Sequence, residues 1–228
     1  MENRIIAKIK HRKKIARETY QIDFILEKEI NFVAGQHIGI WLPKLIYDDP
    51  KGSFRLFSIC SSPKNKKMIS IAFRDTKSGF KKTLLKLPIG TEVELMKPTG
   101  FFVLPKDQKQ RIGFIAGGIG ITPFMSMLNY AKENKLSQKI TLYYLNSSKE
   151  KTAFFYELKQ LTDNNKNFVL KNFLGRKKFL EQIKKIKNQE RILWYIAGPP
   201  GLVADIKNIL ISMGVSQNKI LTEEFSGY

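Results

Sequence analysis

The stretch Phe114-Ile115-Ala116-Gly117-Gly118-Ile119-Gly120-Ile121-Thr122-Pro123-Phe124 joins an apolar run, a glycine turn and a helix start within eleven residues. Gly117, Gly118 and Gly120 lack a Cβ, so their backbone N–H groups can come close to a bound group. Thr122 followed by Pro123 reads as an N-cap and a proline at the first helical position. The unpaired N–H groups and the dipole of such a helix start favour an anion beside the turn. The spacing therefore predicts strand, turn and helix with a phosphate site, although a tight turn without a ligand could use the same glycines.

Downstream of this stretch, apolar runs (Ile112 to Ile115, Ile140 to Leu145, Phe168 to Asn172, Ile192 to Ala197) alternate with helical ones (Pro123 to Asn134, Thr152 to Leu161, Lys177 to Lys187, Pro200 to Met213). That order predicts βαβ units, hence a doubly wound parallel sheet with helices on its faces. In the last helix Leu202, Val203, Ile206, Ile209, Leu210 and Met213 form a core stripe stopped by Gly214. A second glycine turn, Ala197-Gly198-Pro199-Pro200-Gly201, follows another strand, and ligands of open parallel sheets sit at the carboxyl ends of strands.

The first hundred residues read differently. Short alternating runs (Tyr20 to Leu26, His37 to Leu42, Phe54 to Ile59, Met68 to Phe73, Glu92 to Met96) predict an antiparallel barrel or sandwich, interrupted by one helix from Phe80 to Leu87. The polar run Lys106-Asp107-Gln108-Lys109-Gln110 marks a boundary. The expected architecture is α+β with two domains, an antiparallel β-barrel over 1–105 and a parallel α/β domain over 106–228.

Composition narrows the function classes. A single cysteine, Cys60, excludes an intrachain disulfide, a CxxC redox pair and a cysteine-ligated cluster, and is read as a small buried residue. With no secretory leader in view, a reducing, cytoplasmic setting is expected. Residues 112–131 carry no formal charge, yet four glycines and Pro123 break them, so no membrane insertion is expected. The net charge of +20, from 40 Lys and Arg against 20 Asp and Glu, is spread along the chain. It reflects either a lysine-rich composition or attraction for an acidic protein; without a recognised motif, nucleic acid is not expected. His11 and His37 have no evident partner in the sequence and are read as incidental.

Three motifs in order, Arg55-Leu56-Phe57-Ser58, Gly117-Gly118-Ile119-Gly120-Ile121-Thr122-Pro123 and Ala197-Gly198-Pro199-Pro200, make the chain resemble the ferredoxin-NADP reductase family over essentially its whole length. The resemblance implies FAD on the barrel and NADPH or NADH on the α/β domain, the two rings meeting in a cleft. Arg55 offers a forked cation to a flavin phosphate, and Phe57, two positions on, shares its strand face and can lie against the flavin. By the resemblance Ser58 sets a hydroxyl near the reactive flavin nitrogen. Ser78, Gly79, Phe80 and Lys81 open the barrel's helix where a pyrophosphate could be held, which favours FAD over FMN. Gly117, Gly118, Gly120, Ile121, Thr122, Pro123, Ala197, Gly198 and Pro199 would take the nicotinamide dinucleotide.

Two departures stand out. Many relatives have a cysteine where this chain has Ala197, and many NADPH-preferring ones an arginine in the segment where it has Asn146-Ser147-Ser148-Lys149, so Ser147, Ser148 or Lys149 would have to meet any 2′-phosphate. At the C-terminus Glu223, Phe225 and Tyr228 fit the acidic and aromatic element that relatives bring against the flavin. The resemblance implies a monomeric reductase passing electrons singly to an acidic ferredoxin or flavodoxin. A reductase component of a multicomponent oxygenase and a non-catalytic basic binding module on the same fold are the alternatives.

Overall fold

The computed structural model describes residues 4–225. Six strands, β1 (Ile5–Ala16), β2 (Thr19–Leu26), β3 (His37–Trp41), β4 (Phe54–Ser58), β5 (Met68–Arg74) and β6 (Glu92–Leu95), form one antiparallel sheet in the order β4-β3-β6-β1-β2-β5. An isolated bridge between Ile59 and Ile71 brings the two edges together, so the sheet closes as a barrel. Its core holds Ile9, Ile22, Phe24, Ile38, Ile40 and Ile71 from alternate strand positions, together with Phe80 from the helix that follows β5. Each such buried side chain stabilises by about 1.5–3 kcal/mol.

Helix α1 (Gly79–Lys86) packs beside this barrel, where the sequence places it. The Arg12 guanidinium donates to the carbonyls of Leu84 (3.1 Å) and Leu87 (2.6 Å), satisfying acceptors that the end of α1 leaves unpaired.

The remaining strands, β7 (Arg111–Gly117), β8 (Ile140–Asn146), β9 (Phe168–Leu174), β10 (Ile192–Gly198) and β11 (Ile220–Glu224), pair in parallel in the order β11-β10-β7-β8-β9. Helices α2 (Thr122–Glu133), α3 (Phe155–Asp163), α4 (Arg176–Lys184) and α5 (Pro200–Ser212) connect them. Two apolar clusters cover this sheet. One, with Phe179, Trp194, Ile206 and Leu210, lies under α4 and α5. The other joins Phe114, Phe124 and Met127 to Ala34, Cys60, Ala72 and Phe102, so the two sheets share a continuous core. The Tyr195 hydroxyl donates to Val103 O (2.7 Å) and the Ser126 hydroxyl to Ser61 O (2.6 Å) across the same junction. Cys60 is buried there, and burial pushes its thiol well above the usual range.

Candidate nucleotide and flavin cleft

The chain reverses its winding between β7 and β10, which lie side by side, and both strands end in glycine. Gly117 and Gly198 meet there so closely that a Cβ on Gly198 would lie 3.2 Å from the Gly117 Cα. Gly198 has φ 157°, and Gly118 lies in the left-handed region with φ 53°, a conformation that disfavours a side chain. From the neighbouring strand the buried Tyr144 hydroxyl points at Gly118 O (3.1 Å) and Ala153 O (3.2 Å), fixing the turn.

The helix start differs from the sequence expectation. A 3₁₀ turn spans Gly118–Ile121 and α2 follows at once, with Ile121 at its N-cap. Thr122 is thus already helical, and its hydroxyl donates back to Ile119 O (3.0 Å) instead of capping the helix.

Across the junction, Ser58 at the end of β4 donates to Glu223 Oε1 on β11 (3.0 Å). Strand β11 carries Glu223 opposite Ala197 on β10, and Phe225 N–H donates to Gly198 O (2.9 Å). Barrel motif, glycine turn and C-terminal acidic element therefore converge. The second Glu223 oxygen, Oε2, is buried without a hydrogen-bond partner. Burial pushes the Glu223 carboxyl up to about 7, partly countered by the Ser58 hydrogen bond. Phe225 is half-buried against the shared core, while Tyr228 lies outside the described residues.

The other motif residues are distributed as follows. Phe57 is 8% exposed, its ring 5.7 Å from Phe73 and 5.9 Å from Phe80, so it sits in the barrel core. Leu56, on the opposite strand face, is 54% exposed. The Arg55 guanidinium lies over the Phe80 ring at 5.3 Å and pairs with Asp49. Ser78 is the N-cap of α1, Gly79 and Phe80 are buried in its first turn, and Lys81 N–H donates to Ser78 Oγ (3.4 Å). Asn146 is buried at the end of β8, and Ser147, Ser148 and Lys149 lead from it past the barrel, where Glu150 O accepts from Arg17 N–H (2.7 Å). His11 lies 3.6 Å from Asp23, a partner the sequence does not reveal.

Two further residues belong to the cleft. Asp49 takes the donors of Arg55, Ser78 and Phe80. Arg74, last in β5, lies against the glycine turn, its Nη2 3.5 Å from where a Gly118 Cβ would stand and its Nε buried without a partner. The signal for Arg74 is a charged residue directly after the apolar run Ile69 to Phe73, four positions before Ser78.

This arrangement sets a closed antiparallel sheet beside a parallel sheet whose central strands end in glycine. Its fold is that of the ferredoxin-NADP reductases. The family model described as "Oxidoreductase NAD-binding domain" matches residues 114–208. The chain is 29% identical over 207 residues to an NADPH oxidoreductase of Mycobacterium tuberculosis, covering 86% of this chain and 53% of that protein. It is 31% identical over 157 residues to the phthalate dioxygenase reductase of Burkholderia cepacia, covering 66% and 46% respectively. It thus spans about a third to a half of the length of the curated relatives it matches. Ferredoxin-NADP+ reductase from Plasmodium falciparum shares its fold with a TM-score of 0.83 at 21% identity, covering 99% of this chain and 97% of that one.

Proposed function

We propose that this chain is an NAD(P)H-dependent flavoprotein reductase that holds FAD on residues 1–105 and the nicotinamide dinucleotide on residues 106–228, and serves a ferredoxin- or flavodoxin-like acceptor. The observation that carries it is the Ser58–Glu223 hydrogen bond, which closes the barrel onto the strand end beside Gly198. FAD, when bound, supplies acceptance of a hydride and release of electrons one at a time.

The residues fit that group in two respects. Arg55, Ser78, the Phe80 amide and Lys81 form a cationic, donor-rich seat for phosphate at the start of α1. The orphaned Oε2 of Glu223 and the Ser58 hydroxyl supply a buried polar pair at the end of β4. The amides of Gly117, Gly118 and Gly120, with Arg74 alongside, suit a dinucleotide pyrophosphate. Gly198 lets a flat ring approach the backbone, and Ala197 adds no thiol, so positioning rests on shape.

Glu223 is poised between protonation states near neutral pH, so it can hold a proton at Oε2 while Ser58 fixes Oε1. Phe225 and Pro199 reach the surface beside the turn, while Ile121, Thr122 and Pro123 are buried and support it from behind. Ser147, Ser148 and Lys149, which follow β8, are the proposed contacts of the adenosine end and offer two hydroxyls and one ammonium to any 2′-phosphate. A reductase component feeding an oxygenase is the second reading, favoured by the likeness to phthalate dioxygenase reductase.

Anaerobic stopped-flow mixing of FAD-loaded protein with NADH and NADPH in parallel tests the proposal. Bleaching of the flavin's visible absorbance within seconds by at least one nucleotide is expected, using roughly one equivalent per flavin. A protein that takes up no FAD, or holds FAD that neither nucleotide bleaches, would overturn it.

A further inference from the structure

The phosphate seat proposed above already contains an anion, the carboxylate of Asp49 in the 42–53 segment between β3 and β4. Its Oδ1 pairs with Arg55 Nη2 and accepts from Lys51 N–H (3.0 Å), while Oδ2 accepts from the Ser78 hydroxyl (2.8 Å) and Phe80 N–H (2.9 Å). The Asp49 side chain is 4% exposed. Burial raises its affinity for a proton, but the bonds from Phe80, Ser78 and Lys51 and the Arg55 charge outweigh this and hold the carboxyl well below the usual range.

The segment is fitted to α1 along its length. Ile46 and Tyr47 donate their N–H groups to the buried Thr83 Oγ1 (3.0 and 3.1 Å). Gly79 lies so close beneath the segment that a Cβ there would stand 2.6 Å from Tyr47 O, so only glycine fits. Arg55 Nη1 turns to the carbonyls of Lys51, Gly52 and Phe54 at 2.8, 3.0 and 2.5 Å. A cap for α1 alone would not require Asp49, because Ser78 already accepts from Lys81 N–H. What Asp49 adds is a negative charge, at the place where Arg55, Arg74 and Lys81 concentrate positive charge. A carboxylate and a phosphate cannot share one guanidinium, one hydroxyl and one amide, for they are like charges competing for the same donors.

Resting on the flavin reading above, we propose that Asp49 is an internal anion that keeps the seat of Arg55, Ser78 and Phe80 closed, and that a flavin phosphate enters by exchange with it, the 46–51 segment moving away. The isoalloxazine end lies outside this exchange, so riboflavin, which has no phosphate, is indifferent to it.

The test compares the wild-type apoprotein with Asp49→Asn and with Asp48→Asn, an exposed neighbour that loses the same charge outside the seat. Calorimetric titrations use FAD, riboflavin and inorganic pyrophosphate. Asp49→Asn is expected to bind FAD at least tenfold more tightly with riboflavin unchanged, and Asp48→Asn to match the wild type. Amide exchange on the wild-type protein supplies a readout that needs no variant. FAD should deprotect Lys51 N–H, which loses Asp49, and leave Phe80 N–H protected by the incoming phosphate. Unchanged or weaker FAD binding by folded Asp49→Asn, or a Lys51 amide equally slow with and without FAD, overturns the exchange while leaving the flavin reading intact. If neither flavin binds any variant but Asp49→Asn gains at least tenfold for pyrophosphate, the exchange stands and the flavin reading falls. If neither flavin binds any variant and pyrophosphate shows no gain either, both readings fall.

Discussion

At Glu223 a carboxyl has been taken out of water and given one hydroxyl, from Ser58, in return. Its proton is therefore held more tightly in the folded chain, near pH 7, than the ordinary value of 4.5 implies for the unfolded one. Between those values the unfolded chain releases the proton first, so stability falls as pH rises and the full penalty is present above the folded pKa. A gap of about 2.5 pK units at 1.36 kcal/mol each gives an upper limit of about 3 kcal/mol. Glu223→Gln removes the titration. We expect it to be more stable than wild type at pH 8 by up to about 3 kcal/mol and no more stable below pH 4.5. Denaturant melts at several pH values check this, and parallel curves for the two proteins would show that the carboxyl titrates normally. Ser58→Ala, by removing the one bond that lowers the Glu223 pKa, should move the wild-type decline to higher pH.

The glycine turns make their demand at the level of elements. A Cβ at Gly120 would stand 2.5 Å from Ala197 C and 2.7 Å from Gly198 N, with Ala197 O closer still. These are backbone atoms of β10, which cannot rotate away as a side chain could. Gly120→Ala must separate β7 from β10 at the mouth of the cleft, so a loss of about 1–3 kcal/mol is expected, together with loss of nicotinamide nucleotide binding. Gly201, in the first turn of α5, has no atom within 4 Å of its Cβ position, and Gly201→Ala should be neutral or stabilising by up to about 1 kcal/mol. Equal melting temperatures for Gly120→Ala and wild type would refute the packing argument. Apolar runs and breakers make nine of the eleven strands among the described residues legible in sequence to within a residue or two, because burial on both faces or on alternate positions leaves an unmistakable pattern. Strand β1 is hidden: Ile5, Ala7 and Ile9 point inward, but Lys8, Lys10 and the basic run after them read as a charged solvent segment. Edge strand β11 is hidden likewise, since Thr222, Glu223 and Glu224 follow only two apolar residues. In the site, Arg55, Ser58 and Glu223 are visible through motifs, whereas Asp49 gains its meaning only when its segment folds back on α1. In the sequence Asp48-Asp49-Pro50 is no more than a turn.

For the whole molecule the central physical fact is a large positive charge on two sheets that share a core. The tip of β1 and β2 leans on the α/β half through Lys13–Glu157 and Glu18–Lys151 pairs, each 3.7 Å, and through Arg17 N–H to Glu150 O. With Phe102 packed against Phe124 (5.7 Å) and Tyr195 (5.2 Å), the cleft is preassembled, and a partner meets a surface that need not be rebuilt. For such a surface the net charge of +20 acts on the rate of encounter more than on the bound state. Screening then separates the two half-reactions. On the proposed function, hydride transfer between groups bound inside the cleft should change little with salt. On the same proposal, electron delivery to an acidic ferredoxin or flavodoxin would depend on attraction over distances that salt cuts from about 30 Å at 0.01 M to about 10 Å at 0.1 M. We therefore expect the second-order rate of acceptor reduction to fall by about tenfold or more across that range while flavin reduction by the nicotinamide nucleotide stays level. Stopped-flow measurements of both steps in one salt series provide the test. Acceptor reduction that is flat with salt would show that the lysines are a feature of composition and that the partner is recognised by shape and apolar contact instead.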